Sequence, residues 1–241
     1  MNGVNKMKIE VWSDYVCPFC YIGKRLLEQA LETFPHRDQV EVVYKSFELH
    51  PGVENNPNMS INELIANKYG MPIEQAEAMN QQVIQRAAEV GLNYNFDQMK
   101  QTNTVKSHRL TKYAETKGKG GELTERLLSA HFVESKFLGD DETLLLLAAE
   151  VGLDQTEVEH VLSSDAFLEE VLKDQAEGQQ LGVQGVPFFV LNRKYGISGA
   201  QPLEVFTQTL EKVWEEENAT SPLQQITTSK DGTCTDGSCE V

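Results

Sequence analysis

The pattern of apolar and polar residues divides the chain into three parts. Short runs rich in β-branched and aromatic residues, typical of strands, occur near both ends, at residues 9–12, 39–49, 185–192 and 195–198. An amphipathic helix follows the first run, from Pro18 to about Phe34, and another, at residues 201–214, follows the last run. The first strand, helix and second strand form a βαβ unit, so these two strands are predicted to be parallel.

Between residues 55 and 182 the apolar positions recur at helical spacing instead. Ser60 and Glu63 form a capping box at the start of one segment, and Gly70 ends it. About seven helices and no convincing strand are expected here. The pattern therefore predicts one discontinuous domain, an inserted helical domain and a flexible polar tail, at residues 7–54 with 183–216, 55–182 and 217–241 respectively.

Composition and charge narrow the classes of partner. The 241 residues include 21 basic and 37 acidic side chains, a net charge of −16, which argues against nucleic acid or an anionic membrane as partner. The apolar runs are too short for a transmembrane helix. The first eight residues lack the apolar core and cleavage site of a signal peptide, so a cytoplasmic location is expected. There, cysteines are expected to be catalytic, redox-sensing or metal-binding.

Cys17 and Cys20 lie where the first strand meets the first helix, separated by Pro18 and Phe19. The N–H groups of the first helical turn have no intrahelical partners, so they stabilise an anion placed there. The thiolate of Cys17 is such an anion, and it is the nucleophilic form of cysteine. Pro18 suits the first helical position because its missing N–H would have no partner there anyway. Cys17 is therefore the predicted attacking thiol, and Cys20 the resolving thiol.

This motif, the helical insertion and the segment Gly185-Val186-Pro187-Phe188-Phe189 together resemble the thioredoxin fold in its DsbA-like form. Residues 103–109, Asn-Thr-Val-Lys-Ser-His-Arg, resemble a segment of the FrnE-like subgroup, which is related to 2-hydroxychromene-2-carboxylate isomerases and kappa-class glutathione transferases. The resemblance implies an α/β fold with a large all-helical insertion. It also implies that Pro187 is cis and that Val186 pairs its backbone with an extended substrate, with Pro18 and Phe19 completing the substrate-binding positions.

Other residues have two interpretations each. Lys45, on the second strand, either tunes the attacking thiol or relays a proton to it, or is a solvated lysine at the strand edge. His108 either lines a cleft under the insertion or is a structural histidine. Asn103 and Thr104 either belong to the site or cap a helix. Asp14 is expected to be a turn residue.

The tail contains a second cysteine pair, Cys234 and Cys239, which resembles a motif of longer FrnE-like proteins. It is either a second redox centre that exchanges electrons with the first pair or an exposed pair without function. The four sulfurs could also hold zinc. Because Pro18 and the helix corner suit disulfide chemistry, no metal site is predicted.

The resemblance implies a thiol–disulfide oxidoreductase that forms a mixed disulfide through Cys17 with a protein or a small-molecule thiol or disulfide. No bound cofactor is expected, and glutathione is a candidate co-substrate. One alternative is a glutathione-dependent isomerase or transferase of the 2-hydroxychromene-2-carboxylate isomerase type, whose attacking position is typically serine. Another is a redox-regulated, chaperone-like binding protein whose client surface is the helical insertion. The oligomeric state and natural substrate are not predicted.

Overall fold

The computed structural model describes residues 6–218, which form six strands and nine α-helices. The strands are β1 (Met7–Ser13), β2 (Val40–Ser46), β3 (Asn56–Ser60), β4 (Lys100–Gln101), β5 (Phe188–Leu191) and β6 (Tyr195–Ser198). The helices are α1 (Pro18–Thr33), α2 (Ile61–Tyr69), α3 (Ile73–Ala88), α4 (Val105–Thr116), α5 (Gly120–Phe132), α6 (Asp141–Glu150), α7 (Gln155–Ser163), α8 (Leu168–Gln180) and α9 (Leu203–Asn218). Cys234 and Cys239 lie outside the described residues.

A four-stranded sheet in the order β2-β1-β5-β6 forms the thioredoxin-fold part. β1 runs parallel to β2, with Met7 opposite Val40 and Ser13 opposite Ser46. β5 pairs antiparallel with β1, and β6 pairs antiparallel with β5. The parallel pair and the C-terminal strand pair predicted from the sequence are therefore confirmed. Because β1 has a neighbour on each side, the cysteine motif that follows it emerges near the middle of the sheet.

The two faces of this sheet bury different apolar sets. On one face, α1 and α9 pack together over β1 and β5, and removal of their apolar side chains from water is the main stabilising term. The fully buried members of this core include Ile9, Phe189, Phe206 and Leu210. On the other face Trp12 is fully buried and its indole N–H donates to the Asp174 carbonyl in α8 (2.8 Å). This contact joins the sheet to the inserted helices.

The insertion contains seven helices, α2 to α8, as predicted. Its apolar core, which includes Leu110, Leu123, Leu127 and Phe132, is shared with Tyr21 and Ile22 of α1. The insertion is not entirely helical, because β3 and β4 form a small antiparallel sheet. Strands this short, one of them two residues long, are below the length at which an alternating pattern can be recognised. Of the helices within residues 6–218, none is both long and apolar enough to cross a membrane. The predicted domain boundaries stay predictions.

Replacing Gly178 of α8 with alanine is expected to destabilise the fold by up to about 2 kcal/mol. An added Cβ would lie 2.7 Å from Nε1 of the buried Trp12, and overpacking of about 1–3 kcal/mol would exceed the roughly 1 kcal/mol by which alanine favours a helix. Urea denaturation measures the change. Gly121→Ala is the matched control, because its Cβ would meet no atom within 4 Å. Equal stability of the two variants would contradict the close packing of α8 on β1.

Candidate active site

Cys17 occupies the N-cap position of α1, and Pro18 begins the helix. The Cys17 N–H donates to the Asp14 carbonyl (3.2 Å), and the Cys20 N–H donates to the Cys17 carbonyl (3.0 Å), so the motif turns tightly from strand to helix. Both cysteines are free thiols. The expected hydrogen bond from the first-turn N–H groups to the Cys17 sulfur is absent within the described residues. In this thiol form Cys17 Sγ is a donor and pairs with the Val186 carbonyl (3.4 Å).

That contact brings Cys17 against a residue from the far end of the chain. Val186 and Pro187 precede β5, and the peptide bond between them is cis, as the resemblance implies. The Pro187 carbonyl accepts an N–H from Gly199 (2.8 Å), which anchors the segment to the β6 end of the sheet. The two residues predicted to bind substrate therefore adjoin the predicted attacking sulfur.

Both thiols are buried, Cys17 at 4% exposed and Cys20 at 2%. Burial raises the pKa of the Cys20 thiol well above its ordinary value, and the adjacent Cys17 sulfur raises it further. The Asp14 N–H, which donates to Cys20 Sγ (3.4 Å), and the Ser13 hydroxyl oppose this effect. Cys20 is therefore held as a neutral thiol while its partner is reduced.

Asp14 does more than form a turn. It is 1% exposed, and its carboxylate accepts the Leu49 N–H (2.8 Å) and lies 3.2 Å from His108 Nε2. Burial raises the pKa of Asp14, but the hydrogen bond and charge of His108, with the bonds from Leu49 and Thr104, outweigh it and leave the pKa below its ordinary value. This network also explains why β2 ends at Ser46 and not at the predicted Leu49, whose N–H turns toward the carboxylate.

His108 is a buried member of this network and does not line the large cavity described below. Its ring packs beside Tyr15, with 4.9 Å between the ring centroids. It lines a small cavity between the sheet and α4 with Thr111 and Thr124, so its surroundings favour the structural interpretation, and a role at the site stays a prediction. The Asn103 side chain accepts the N–H of Val105 (3.0 Å) in the first turn of α4 and donates to the Val53 carbonyl (2.7 Å), so it anchors the helix start.

Lys45 contacts carboxylates of α8 and neither cysteine of the motif. Its ammonium lies 2.9 Å from Asp174 and 3.0 Å from Glu177. Burial lowers the pKa of Lys45, but hydrogen bonds and charge from these carboxylates outweigh it and raise the pKa above its ordinary value. A lysine held in its charged form by two carboxylates is poorly suited to relay a proton, so its position favours a structural role.

A cavity of about 1040 Å³ opens on Cys17, Pro18 and Phe19 and extends to α2, α3 and the Phe132 end of α5. Its walls are mainly apolar, as is usual for small-molecule sites. Sequence reasoning missed several polar members of this lining, including Lys68, Arg86 and His131. They lie far from the motif in sequence, on helices whose pattern indicates only an apolar side and a polar side. Among the described residues, no group of three or more His, Cys, Asp or Glu could hold a metal ion.

His131 should make stability depend on pH. It is 2% exposed, and burial lowers its pKa from 6.5 to about 4, against the opposing effects of the Lys136 backbone and the Asp14 charge. Between these values the unfolded chain binds a proton that the folded chain does not, so the free energy of unfolding decreases as pH falls. This group alone should remove about 2 kcal/mol between about pH 7 and pH 5.

The measurement is urea denaturation at several pH values. His131→Gln should lose that part of the pH dependence, whereas His160→Gln, which replaces an exposed histidine of α7, should retain it. Parallel pH profiles for the two variants would show that His131 ionises equally in the folded and unfolded chains.

Known proteins resemble this chain in sequence and in fold. The model of the DSBA-like thioredoxin domain family matches residues 8–211. The uncharacterized protein YwbO of Bacillus subtilis (strain 168) is 31% identical over 213 residues, which cover 84% of this chain and 94% of that protein. The solved structure of a probable DsbA oxidoreductase from Streptomyces coelicolor is 42% identical, with a TM-score of 0.83, and the match covers 96% of this chain and 100% of the other.

The fold extends to more distant proteins. A cytosolic disulfide reductase, DsbM from Pseudomonas aeruginosa, solved with glutathione, is 19% identical, with a TM-score of 0.59, and the match covers 85% of this chain and 98% of the other. At that identity the likeness concerns the fold alone. The family match spans most of the chain, and the predicted thioredoxin fold with a helical insertion is confirmed. The chain belongs to the DSBA-like thioredoxin domain family.

Proposed function

We propose that this protein is a thiol–disulfide oxidoreductase whose redox centre is the pair Cys17 and Cys20. One observation carries the proposal: Cys17 Sγ lies at the N-cap of α1, 3.4 Å from the carbonyl that precedes cis-Pro187, and faces the large cavity. A substrate in that cavity can reach the outer sulfur, while Cys20 stays covered. Family membership supports oxidoreductase chemistry in general.

In the reducing direction, the Cys17 thiolate attacks one sulfur of a substrate disulfide. The substrate S–S bond breaks, a mixed disulfide forms with Cys17, and the first substrate thiolate leaves and takes up a proton. The Cys20 thiolate then attacks the Cys17 sulfur and releases the second substrate thiol. Two electrons and two protons move to the substrate, and the protein is left with a disulfide between its two cysteines. The oxidising direction reverses these steps.

The surroundings of Cys20 suit this order of events. Part of the rise in its pKa comes from the hydrogen bond and charge of Cys17. Once Cys17 is bonded to substrate, that sulfur no longer carries charge, so this contribution disappears. The Asp14 N–H remains directed at Cys20 Sγ and favours its thiolate. Cys20 therefore becomes easier to ionise in the mixed disulfide, when it has to attack.

The substrates proposed are thiol- or disulfide-containing proteins or small molecules, with glutathione as a candidate for restoring the dithiol. The expected cytoplasmic location stays a prediction. The isomerase or transferase alternative gains no support from the site, because cysteine and not serine occupies its attacking position. The chaperone-like alternative predicts function without Cys17 chemistry.

The test is turnover of disulfides: insulin reduction with dithiothreitol as electron donor, and refolding of scrambled ribonuclease. The wild-type protein should accelerate at least one of these reactions, and the acceleration should depend on Cys17. Acceleration that persists without the Cys17 sulfur would contradict the proposal.

A further inference from the structure

The charge of the large cavity is opposite to that of the whole chain. The sequence contains 37 acidic and 21 basic residues. Yet three basic side chains line the cavity, Lys68 of α2, Arg86 of α3 and Lys100 of β4, and no aspartate or glutamate of the described residues does so. An acidic chain that presents only cations around one apolar cavity favours an anionic occupant there.

These three cations also lack carboxylate partners, whereas other basic residues, such as Lys24, Lys45 and Arg193, form ion pairs. Within residues 6–218, Lys68, Arg86 and Lys100 form no ion pair with a carboxylate. The Lys68 ammonium lies 3.3 Å from His50 Nε2. Burial lowers the pKa of His50, and the charge of Lys68 lowers it further. Glu63 lies close enough to Lys100 to be influenced by its charge, but the Glu63 carboxylate accepts the N–H and hydroxyl of Ser60.

Arg86 connects this charge to the redox motif. Its guanidinium carbon lies 5.5 Å from the ring centroid of Phe19, the residue between Pro18 and Cys20. One of its nitrogens donates to the Ala200 carbonyl (2.6 Å), which orients the group at the cavity rim. A guanidinium fixed in this way keeps further N–H donors for a carboxylate.

A buried polar atom also lacks a partner at this cavity. Nδ1 of His131, a lining residue, is buried without a hydrogen-bond partner in the described structure. Buried polar atoms without partners are rare in folded proteins. The opposite wall is apolar, formed by side chains such as Met59, Leu64 and Val83. The cavity therefore combines a broad apolar surface with cations and one unsatisfied polar group.

We propose that this cavity selects small disulfide or thiol substrates with an apolar, preferably aromatic, body and an acidic group, which Arg86, Lys68 and Lys100 attract while the sulfur lies against Cys17. The claim that such substrates react at Cys17 rests on the proposed function, whereas the claim that the cavity binds acidic aromatic molecules does not. In the reaction, the Cys17 thiolate attacks one sulfur of such a disulfide; half of the substrate becomes bonded to Cys17 and the other half leaves as an acidic thiol, and Cys20 then releases the bonded half as a second thiol and closes the disulfide with Cys17.

Binding is tested without redox chemistry, using two fluorescent probes of similar shape. Anionic 8-anilinonaphthalene-1-sulfonate should bind the wild-type protein more tightly than neutral N-phenyl-1-naphthylamine. Replacing all three cations (Lys68→Gln, Arg86→Gln and Lys100→Gln) should weaken binding of the anion about tenfold, with about twofold from each, and leave the neutral probe unchanged. Lys173→Gln, an exposed lysine of α8 outside the cavity, is the matched control.

The reaction is tested with two aromatic disulfides and the pre-reduced protein, with Cys234 and Cys239 replaced by serine in every variant so that the measured reaction is that of Cys17 and Cys20. The triple variant should react about tenfold more slowly than wild type with the dianionic 5,5′-dithiobis(2-nitrobenzoate), and equally fast with neutral 2,2′-dithiodipyridine. Added salt should slow the wild-type reaction with the dianion, because it screens the attraction by the cavity. If the cavity did not attract the dianion, the net charge of −16 would repel it, and salt would accelerate the reaction instead.

Equal effects of the triple substitution on charged and neutral probes, or an equal effect of Lys173→Gln, would overturn the inference. Failure of the wild-type protein to react with either disulfide, together with selective binding of the anionic fluorophore, would reject the redox function and support the charge-selective cavity. The two proposals can therefore fail separately.

Discussion

Replacing Cys17 with serine is expected to abolish disulfide exchange, lowering the rate of insulin reduction by at least about 10³-fold. A serine hydroxyl does not attack a disulfide at neutral pH, so no mixed disulfide forms. Cys20 cannot take over, because it does not line the large cavity and burial holds the pKa of its thiol well above the ordinary value. The loss therefore reflects chemistry at one sulfur and not a loss of fold.

The control for this prediction is the thermal stability of the Cys17→Ser variant. Serine has nearly the shape of cysteine, and the polar neighbours of the Cys17 sulfur, the Val186 carbonyl and the Cys20 thiol, can both pair with a hydroxyl, so the thermal unfolding midpoint should change little. The comparison is made with Cys234 and Cys239 also replaced by serine, so that the tail thiols cannot substitute.

The same variant separates the competing functions. A chaperone-like protein would retain its ability to hold unfolded clients after Cys17→Ser. A glutathione-dependent isomerase of the 2-hydroxychromene-2-carboxylate type, in which serine is typical at this position, would keep or gain activity. Undiminished insulin reduction would exclude the proposed mechanism.

Replacing Cys20 with serine is expected to trap the reaction at its midpoint. Cys17 can still attack, but the thiol that resolves the mixed disulfide from within the same helix turn is gone. An intramolecular thiol acts at a very high effective concentration, so the lifetime of the adduct should increase by about 10²-fold or more. Non-reducing gels and intact-mass measurements should show the protein bonded to one insulin chain or to a small thiol.

The adduct must meet two conditions. Dithiothreitol should release it, and it should be absent when Cys17 and Cys20 are both serine. Peptide mapping should place the bond at Cys17. A mixed disulfide found at Cys20 of the Cys17→Ser variant, and none at Cys17 of the Cys20→Ser variant, would reverse the two assigned roles. In cells the trapped adduct would identify the natural partner directly.

Local sequence determined the secondary structure around the motif. The apolar run before Cys17 and the proline after it encode a strand-to-helix turn, and α1 begins at Pro18. Capping residues such as Ser60, with Gly70 at the opposite end, predicted α2 because these groups satisfy orphan N–H and C=O groups of the same helix. The seven helices of the insertion followed from the same short-range rules. β3 and β4 did not, since they are stabilised by pairing with each other and not by local pattern.

The predicted active site depended on both the local sequence and the tertiary structure. The sequence alone placed Cys17 and Cys20 together, because residues separated by one helical turn are neighbours in any fold that keeps the helix. The position of Val186 beside Cys17 could be expected only from a family resemblance. The structure brings them to 3.4 Å across 169 positions of sequence.

Roles of charged side chains were decided by the tertiary structure alone. Asp14 looked like a turn residue, yet His108, 94 positions away, holds it as a buried charge beneath the motif. Lys45 looked like a neighbour of the site, yet Asp174 and Glu177 pair with it. The cations around the cavity come from two helices and a short strand of the insertion. A charge acquires its partner and its dielectric surroundings only when distant segments pack, and a hydrophobic pattern along the chain contains no record of those distances.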